Sequence, residues 1–230
     1  DTLGSTSPVT VDGSGAILAI GANSDTVGVV TLKSGSITGT GGTLSGSSFV
    51  MESGSVTAIL GGSGNLTKTT AGTVTLSEAN SYTGSTIVSG GTIQFSGTAS
   101  AITSSSGVDL GGGTLLIDNS GGFNNTDRLN DSGTVTLSGS GILSFSHDAG
   151  AANYSETTGA LSVTGSGNQI ITSRADSSQT STLTFASLTL GGGLQFTGDA
   201  LGLDSRNRIF ITAQSAGPIG GSATYFDPLN

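Results

Sequence analysis

The chain has 230 residues and a formal net charge of -9, and Gly, Ser and Thr make up nearly half of it. Only 9% of the residues are charged, against about 25% in an average soluble domain. Six Lys and Arg spread over the whole length cannot form a phosphate-binding surface, which argues against a nucleic-acid partner. The lack of Cys excludes disulfide scaffolds, zinc ribbons and thiol catalysis.

The apolar residues argue against a membrane span and against disorder. The longest apolar run, Ala16 to Ile20, is far shorter than the ~18–20 residues that cross a bilayer, so we expect no membrane insertion by this segment. Disordered linkers are also rich in Gly and Ser, but here Val, Ile and Leu are common and the mean hydropathy is +0.15. Because the chain begins at Asp1, we expect a processed protein or a segment of a longer one.

Short alternating apolar and polar runs, each ended by Gly, Ser, Asn or Asp, recur along the chain, and no stretch has the apolar period of a helix. The strands predicted in chain order are residues 9–11, 29–32, 73–76, 114–117, 134–137, 141–145, 161–163, 169–172, 183–185, 188–190 and 208–212. This pattern is compatible with an antiparallel sandwich or barrel and with a parallel β-helix. The near absence of Asn-Gly and Asp-Gly turns, with Asp12-Gly13 the one example, favours the β-helix.

At about 20–25 residues per coil, the sequence predicts one continuous β-solenoid over residues 1-230, with nine to eleven coils. Residues 1-100 are nearly free of aromatic side chains, and we expect them to form a regular, repeat-rich part. Residues 101-230 contain longer polar stretches, such as 119–132 and 147–158, and we expect a continuation of the same core with longer loops.

The most specific motif covers residues 61-93. It has the order Gly-x-Gly, Leu-x-Lys, Gly-Thr-Val-x-Leu and Asn-x-Tyr-x-Gly, carried by Gly62, Gly64, Leu66, Lys68, Gly72, Thr73, Val74, Leu76, Asn80, Tyr82, Gly84, Thr86, Gly91 and Ile93. This order resembles the autotransporter passenger-associated β-strand repeat (PATR) of large bacterial surface proteins, with departures at Thr70 and at Glu78-Ala79. The resemblance implies a right-handed parallel β-helix displayed outside the cell.

Physical reasoning assigns roles within the motif. Leu66, Val74, Leu76, Ile87 and Ile93 are expected to point into the core. We expect Tyr82 to cap a coil with its ring while its hydroxyl stays in water. We expect Asn80 to satisfy backbone groups of a turn.

No catalytic residues are predicted. His147 lies in Ser146-His147-Asp148, where strand neighbours point to opposite faces, so we expect a histidine in a surface loop and no triad. The carboxylates are scattered, unlike the clustered acids of polysaccharide-cleaving enzymes. We therefore expect a protein that is not an enzyme and needs no cofactor.

Two binding alternatives remain open. The oxygen-rich segment with Asp127, Asn130 and Asp131 is a candidate Ca²⁺ site, although Arg128 in its middle argues against one. Ranks of Thr-x-Thr pairs on a flat solenoid face can bind ice, but threonine is also an ordinary solvent-facing residue of strands. The pairs in this chain are Thr38/Thr40, Thr73/Thr75, Thr134/Thr136 and Thr182/Thr184.

The sequence therefore predicts a non-enzymatic structural or adhesive segment of a bacterial extracellular or cell-surface protein. It would be a rigid rod whose partner is another copy, stacked head-to-tail into a fibre, or the continuation of a longer chain. A cell-surface glycan or matrix is a second partner class. The alternative is a glycan-binding or glycan-cleaving β-helix module, which needs an aromatic platform or a carboxylate cluster. Ice binding is a third hypothesis.

Overall fold

The computed structural model describes residues 3–147, 153–173, 178–201, 206–213 and 223–226, and these residues form strands and turns. Within these ranges, no helix has the length and apolar character that crossing a membrane requires. The strands are β1 (Val9–Val11), β2 (Ile17–Gly21), β3 (Asp25–Leu32), β4 (Ser36–Gly39), β5 (Thr43–Met51), β6 (Gly54–Val56), β7 (Ile59–Gly61), β8 (Leu66–Lys68), β9 (Thr73–Leu76), β10 (Thr86–Val88), β11 (Thr92–Ser96), β12 (Gly107–Gly111), β13 (Thr114–Asn119), β14 (Thr134–Ser138), β15 (Ile142–His147), β16 (Tyr154–Thr172), β17 (Ser181–Gly198), β18 (Asn207–Ile211) and β19 (Ala223–Phe226).

Strands of successive turns pair in parallel, and these pairings build three faces. The first face stacks β1, the ends of β3 and β5, β8, β10, β12, β14, and the middles of β16 and β17. The second face stacks β2, β4, β6, β9, β11, β13, β15, the ends of β16 and β17, and β19. The third face contains the starts of β3, β5, β16 and β17, with β7 and β18.

The first face fixes the number of turns. Its paired residues are Val9, Val30, Phe49, Leu66, Thr86, Val108, Val135, Leu161 and Leu188, so nine levels are separated by eight turns. The predicted all-β parallel β-helix is confirmed, and the predicted nine to eleven coils are slightly too many. The last three turns are 26 or 27 residues long, against 17 to 22 in the first five. Because these last turns are longer than the assumed 20–25 residues, the chain forms fewer turns than predicted. Eight steps of about 4.8 Å give an axial length of about 38 Å.

Alternating burial places the core inside the three faces. On the second face the inward positions of successive turns hold Val74, Ile93, Leu115, Leu143, Ile170 and Phe196, stacked in register. The first five of these side chains are fully buried. Burial of one such side chain contributes about 2 kcal/mol, so the column stabilises each turn through its two neighbours.

One predicted inward residue is wrong. Ile87 is half-buried on the outer side of β10, whereas Thr86 and Val88 are buried on either side of it. Leu66, Val74, Leu76 and Ile93 are fully buried. The turns need glycine where adjacent coils approach closely, because a Cβ at Gly84 would overlap the backbone of Gly64 in the preceding turn.

Candidate functional site

Tyr82 is the aromatic centre of the motif over residues 61–93. Its ring is fully buried and lies 5.9 Å, centroid to centroid, from that of Phe49. Its hydroxyl lies 2.7 Å from Thr86 Oγ1, and burial raises the pKa of this phenol. The expectation that the hydroxyl stays in water is therefore wrong. The Tyr82 hydroxyl also explains why a threonine takes an inward position in β10, since the pair satisfies both polar groups inside the core.

Asn80 joins three successive turns at the third face. Its Oδ1 accepts a hydrogen bond from the Leu60 backbone N–H at 2.9 Å. Its Nδ2 donates to the carbonyls of Glu78, at 2.9 Å, and Ala101, at 3.4 Å. The Asn80 amide thus takes the place of strand hydrogen bonds at a level where the third face has only the isolated Ala79–Ala101 bridge.

Lys68 ends β8 and turns its ammonium group onto a bend of the backbone. Nζ donates to the carbonyl of Glu52 at 2.8 Å and to the carbonyl of Thr70. The side chain is fully buried, and this desolvation lowers the pKa of the amine. A Cβ on Gly91, where φ is +62°, would lie only 2.8 Å from Nζ. Glycine is required at position 91 because φ is positive there and because a Cβ would also overlap the Gly72 carbonyl oxygen; the Lys68 ammonium group fills the rest of this space.

Arg128 is the largest fully buried side chain among the described residues. Its Nε and one terminal nitrogen donate to Asn119 Oδ1 at 2.9 and 2.6 Å. The guanidinium also donates to the carbonyls of Ser100, at 2.7 Å, and Gly97, at 3.0 Å. Burial lowers the pKa of the guanidinium, while Glu156 and Asp118 oppose that change. Arg128 thus holds the excursion formed by residues 119–133 against the preceding turn.

Glu156 holds the same excursion from the following turn. Its carboxylate accepts hydrogen bonds from the backbone N–H groups of Arg128, at 3.0 Å, and Leu129, at 2.9 Å. Burial raises the pKa of Glu156 to about 7, although these two hydrogen bonds lower it. Sequence reasoning missed both Arg128 and Glu156 as core residues, because charged residues in polar segments give no local signal of burial.

His147 lies inside the core, so the expected surface-loop histidine is wrong. It ends β15 with 6% of its surface exposed, and its ring stacks on Tyr154 at 4.0 Å and meets Phe145 edge-on. His147 Nε2 lies 2.9 Å from the hydroxyl of Ser181, which is fully buried. A serine and a histidine are thus in contact, but packing closes both to a substrate.

The candidate Ca²⁺ residues lie at the end of the excursion. Asp127 and Asp131 are exposed, and Arg128 turns inward between them. Asn130 uses its amide in the fold: Oδ1 accepts from the Ser132 N–H at 2.9 Å, and Nδ2 donates to the Ser105 carbonyl at 2.9 Å. Over the described ranges, no three His, Cys, Asp or Glu residues are placed to share a metal ion. Binding of Ca²⁺ at Asp127, Asn130 and Asp131 stays a prediction.

The Thr-x-Thr pairs do not form one rank. Thr73 and Thr75 lie on the second face, Thr134 and Thr136 on the first, and Thr182 and Thr184 on the third. On the second face Thr73, Thr92 and Thr114 stack in register, but Thr75 is followed by Gln94 and Leu116. The paired threonine spacing therefore lasts for one turn only.

The comparison with known families bears on the segment built around Lys68, Asn80 and Tyr82. Residues 66–95 match the family model of the passenger-associated-transport-repeat. The resemblance found in the sequence is thus confirmed, and the passenger-associated-transport-repeat occupies β8 to β11 in the middle of the stack. Neither the curated proteins nor the solved structures gave a match to the chain. The repeat and the parallel β-solenoid together fit a structural segment of an autotransporter passenger.

Proposed function

We propose that the chain is a non-enzymatic structural segment of an extracellular or cell-surface protein. In this proposal it is a rod that extends from the cell, presents the excursion of residues 119–133 for adhesion, and associates with further copies. The observation that carries the proposal is the position of the passenger-associated-transport-repeat inside an uninterrupted parallel stack. A stack of eight turns holds its ends about 38 Å apart without bulky packing in any single turn.

The location is tested with antibodies raised against the purified chain. We expect immunogold label on intact source cells, at the same density as on permeabilised cells. Label that appears only after permeabilisation contradicts an extracellular or surface location.

A second candidate function is the binding of a glycan, and one patch on the third face favours it. Phe210 is 42% exposed, and the guanidinium carbon of Arg208 lies 5.6 Å from its ring centroid. In the adjacent turn Thr182 and Thr184 pair with Arg208 and Phe210. An exposed ring beside hydroxyl and guanidinium groups is the chemistry that stacks on a sugar and bonds to its hydroxyls.

The glycan hypothesis is tested on a glycan array with the unchanged chain and Phe210→Ala. We expect binding that falls at least tenfold in Phe210→Ala and is kept in Phe123→Ala, which removes an aromatic ring from the excursion instead. Absence of binding, or equal binding by Phe210→Ala, rejects this patch.

A further inference from the structure

The second face carries almost no charge. From β4 onward it contains β6, β9, β11, β13, β15 and the ends of β16 and β17, and Asp118 carries the one formal charge in these segments. Its Oδ2 accepts a hydrogen bond from Gln94 Nε2 at 2.7 Å. The first face differs, because Asp109 is exposed in β12 and Lys33 pairs with Asp12 beside the ends of β1 and β3. Charged residues are depleted at the centres of protein–protein interfaces, so the second face has the composition of a contact surface.

Three aliphatic side chains lie next to one another on this face. Leu116, Ile142 and Ile171 are half-buried at outward positions, so each keeps part of its surface in water. Ser144 pairs with Leu116 on one side and with Ile171 on the other, and Ile142 lies two residues before Ser144 on the same side of β15. Uncharged polar side chains surround this apolar centre: Gln94, Thr114, Gln169, Gln195 and Thr197. An apolar centre within a polar rim is the anatomy of a protein–protein interface.

The size of the second face fits a contact between two copies. Its eight strand segments from β4 to the end of β17, about 4.8 Å apart, extend about 38 Å along the rod, and five residues of strand span about 17 Å. Two such faces in contact bury about 1,300 Å² in total, and stable specific interfaces bury about 1,200–2,000 Å². The apolar centre alone is much smaller than this range, so a stable contact needs the whole face.

We propose that two copies pack second face against second face, side by side, with their rods pointing the same way. This contact rests on the proposed structural function and specifies the partner and the face through which copies associate. The labelling of intact cells described above does not depend on association, so the two proposals can fail separately. The two-fold axis runs along one outward column, whose members each face their own counterpart: Ser36, Ser55, Thr75, Gln94, Leu116, Ser144, Ile171 and Thr197.

Area and charge determine the orientation of the two rods. Rods that point the same way overlap over all eight strand segments, whereas opposed rods centred on Ile142 overlap over five of them, from β11 to β17. At the level of β13, the alignment places Asp118 of one copy opposite Thr114 of the other. The one carboxylate of the face thus meets a hydroxyl donor and not a second carboxylate. The net charge of -9 opposes approach only at long range, so salt strengthens the association.

Sedimentation equilibrium tests the contact, and the chain offers a matched control. Leu116 and Ile87 are both half-buried aliphatic residues at outward strand positions, but Ile87 lies in β10 on the first face. We expect the unchanged chain to dimerise, and Leu116→Lys to raise the dissociation constant at least tenfold because it places two like charges opposite each other. Ile87→Lys should dimerise like the unchanged chain. A chain that stays monomeric at millimolar concentration, or equal constants for the two variants, overturns the proposal.

Cross-linking tests the alignment without adding a charge, because the chain has no cysteine of its own. Ser144→Cys and Ser55→Cys lie in the column on the two-fold axis, and each is treated with a bis-maleimide whose reach matches the spacing of packed sheets, about 10 Å. We expect cross-linked dimer from both, at least tenfold more than from Ser162→Cys in an outward column of the first face. Equal yields from Ser144→Cys and Ser162→Cys overturn the contact, and a product from Ser144→Cys without one from Ser55→Cys overturns the alignment.

Discussion

Glu156 links the stability of the fold to pH through one buried carboxyl group. Burial raises its pKa from an ordinary value of 4.5 to about 7. Between these values the folded chain holds a proton that the unfolded chain has released, so the stability present below pH 4.5 is lost as pH rises through about 7. A shift of this size corresponds to about 3 kcal/mol. Asp127 raises this pKa further and Arg128 opposes the rise.

Replacement Glu156→Gln is expected to remove this pH dependence. The Gln side-chain oxygen still accepts from the Arg128 and Leu129 N–H groups but carries no charge to desolvate. By urea unfolding, we expect the unchanged chain to be about 2–3 kcal/mol less stable at pH 8 than at pH 5, and Glu156→Gln to lose most of that difference. Asp109→Asn, at an exposed strand position, is the control and should keep it. A pH dependence unchanged in Glu156→Gln contradicts this role.

The buried pair of Tyr82 and Thr86 is expected to be energetically coupled. Tyr82→Phe should cost about 1 kcal/mol, and Thr86→Val should cost about 1–3 kcal/mol because it leaves the buried Tyr82 hydroxyl without this hydrogen-bond partner. The double variant should be more stable than the sum of the single changes predicts, by about 1 kcal/mol in a double-mutant cycle. Additive costs would show that the 2.7 Å contact contributes nothing.

At the scale of elements, the excursion of residues 119–133 depends on two buried charged side chains from opposite directions. Arg128→Met is expected to destabilise the chain by about 3 kcal/mol or more, because it leaves the Asn119 amide oxygen and the Ser100 and Gly97 carbonyls without their donor. Hydrogen exchange should accelerate in residues 119–133 and remain slow in β8 to β11. Lys33→Met removes an exposed cation paired with Asp12 at 3.0 Å, and should leave stability and hydrogen exchange nearly unchanged, because solvent screens an exposed ion pair. Equal effects of the two changes would contradict the assigned role.

The individual strands were predictable because their signal is local. Val9–Val11, Thr73–Leu76 and Thr134–Ser138 alternate apolar with polar residues between turn residues, and the structure has strands there. In the Thr86-Ile87-Val88 run this pattern does not decide which side chains point into the core. Two adjacent apolar residues permit two registers that differ by one residue. The Tyr82 hydroxyl inside the core selects the register that buries Thr86.

The candidate site was predictable only in part. The spacing of the repeat identified Lys68, Asn80 and Tyr82 as members of one family motif. Arg128 and Glu156 were not identified as core residues because they meet across 28 positions of sequence, one whole turn of the stack. Such a contact depends on the length of the intervening turn, which no local period reveals.

At the scale of the whole molecule, turns should be removable as units. Deleting residues 30–48 takes out one complete turn of 19 residues, so that Phe49 follows Val29 and takes the place of Val30, with which it shares a column. We expect a folded chain with an unchanged β-sheet circular dichroism spectrum and one cooperative unfolding transition, since each turn contacts only its neighbours. Deleting residues 30–39 removes half a turn and should abolish folding, because every later column moves to another face. Equal tolerance of both deletions contradicts the turn assignment.

Burial of basic side chains also decides where a digestive enzyme can cut. Trypsin cleaves after Lys and Arg, and the chain has only six such residues. Lys68 and Arg128 are fully buried, so neither presents its peptide bond to the enzyme while the chain is folded. Between residues 3 and 147, Lys33 is left as the one exposed site, on a turn where its ammonium group binds Asp12. While the chain is folded, trypsin is therefore expected to find one accessible site between residues 3 and 147, and to leave the turns that contain Lys68 and Arg128 uncut.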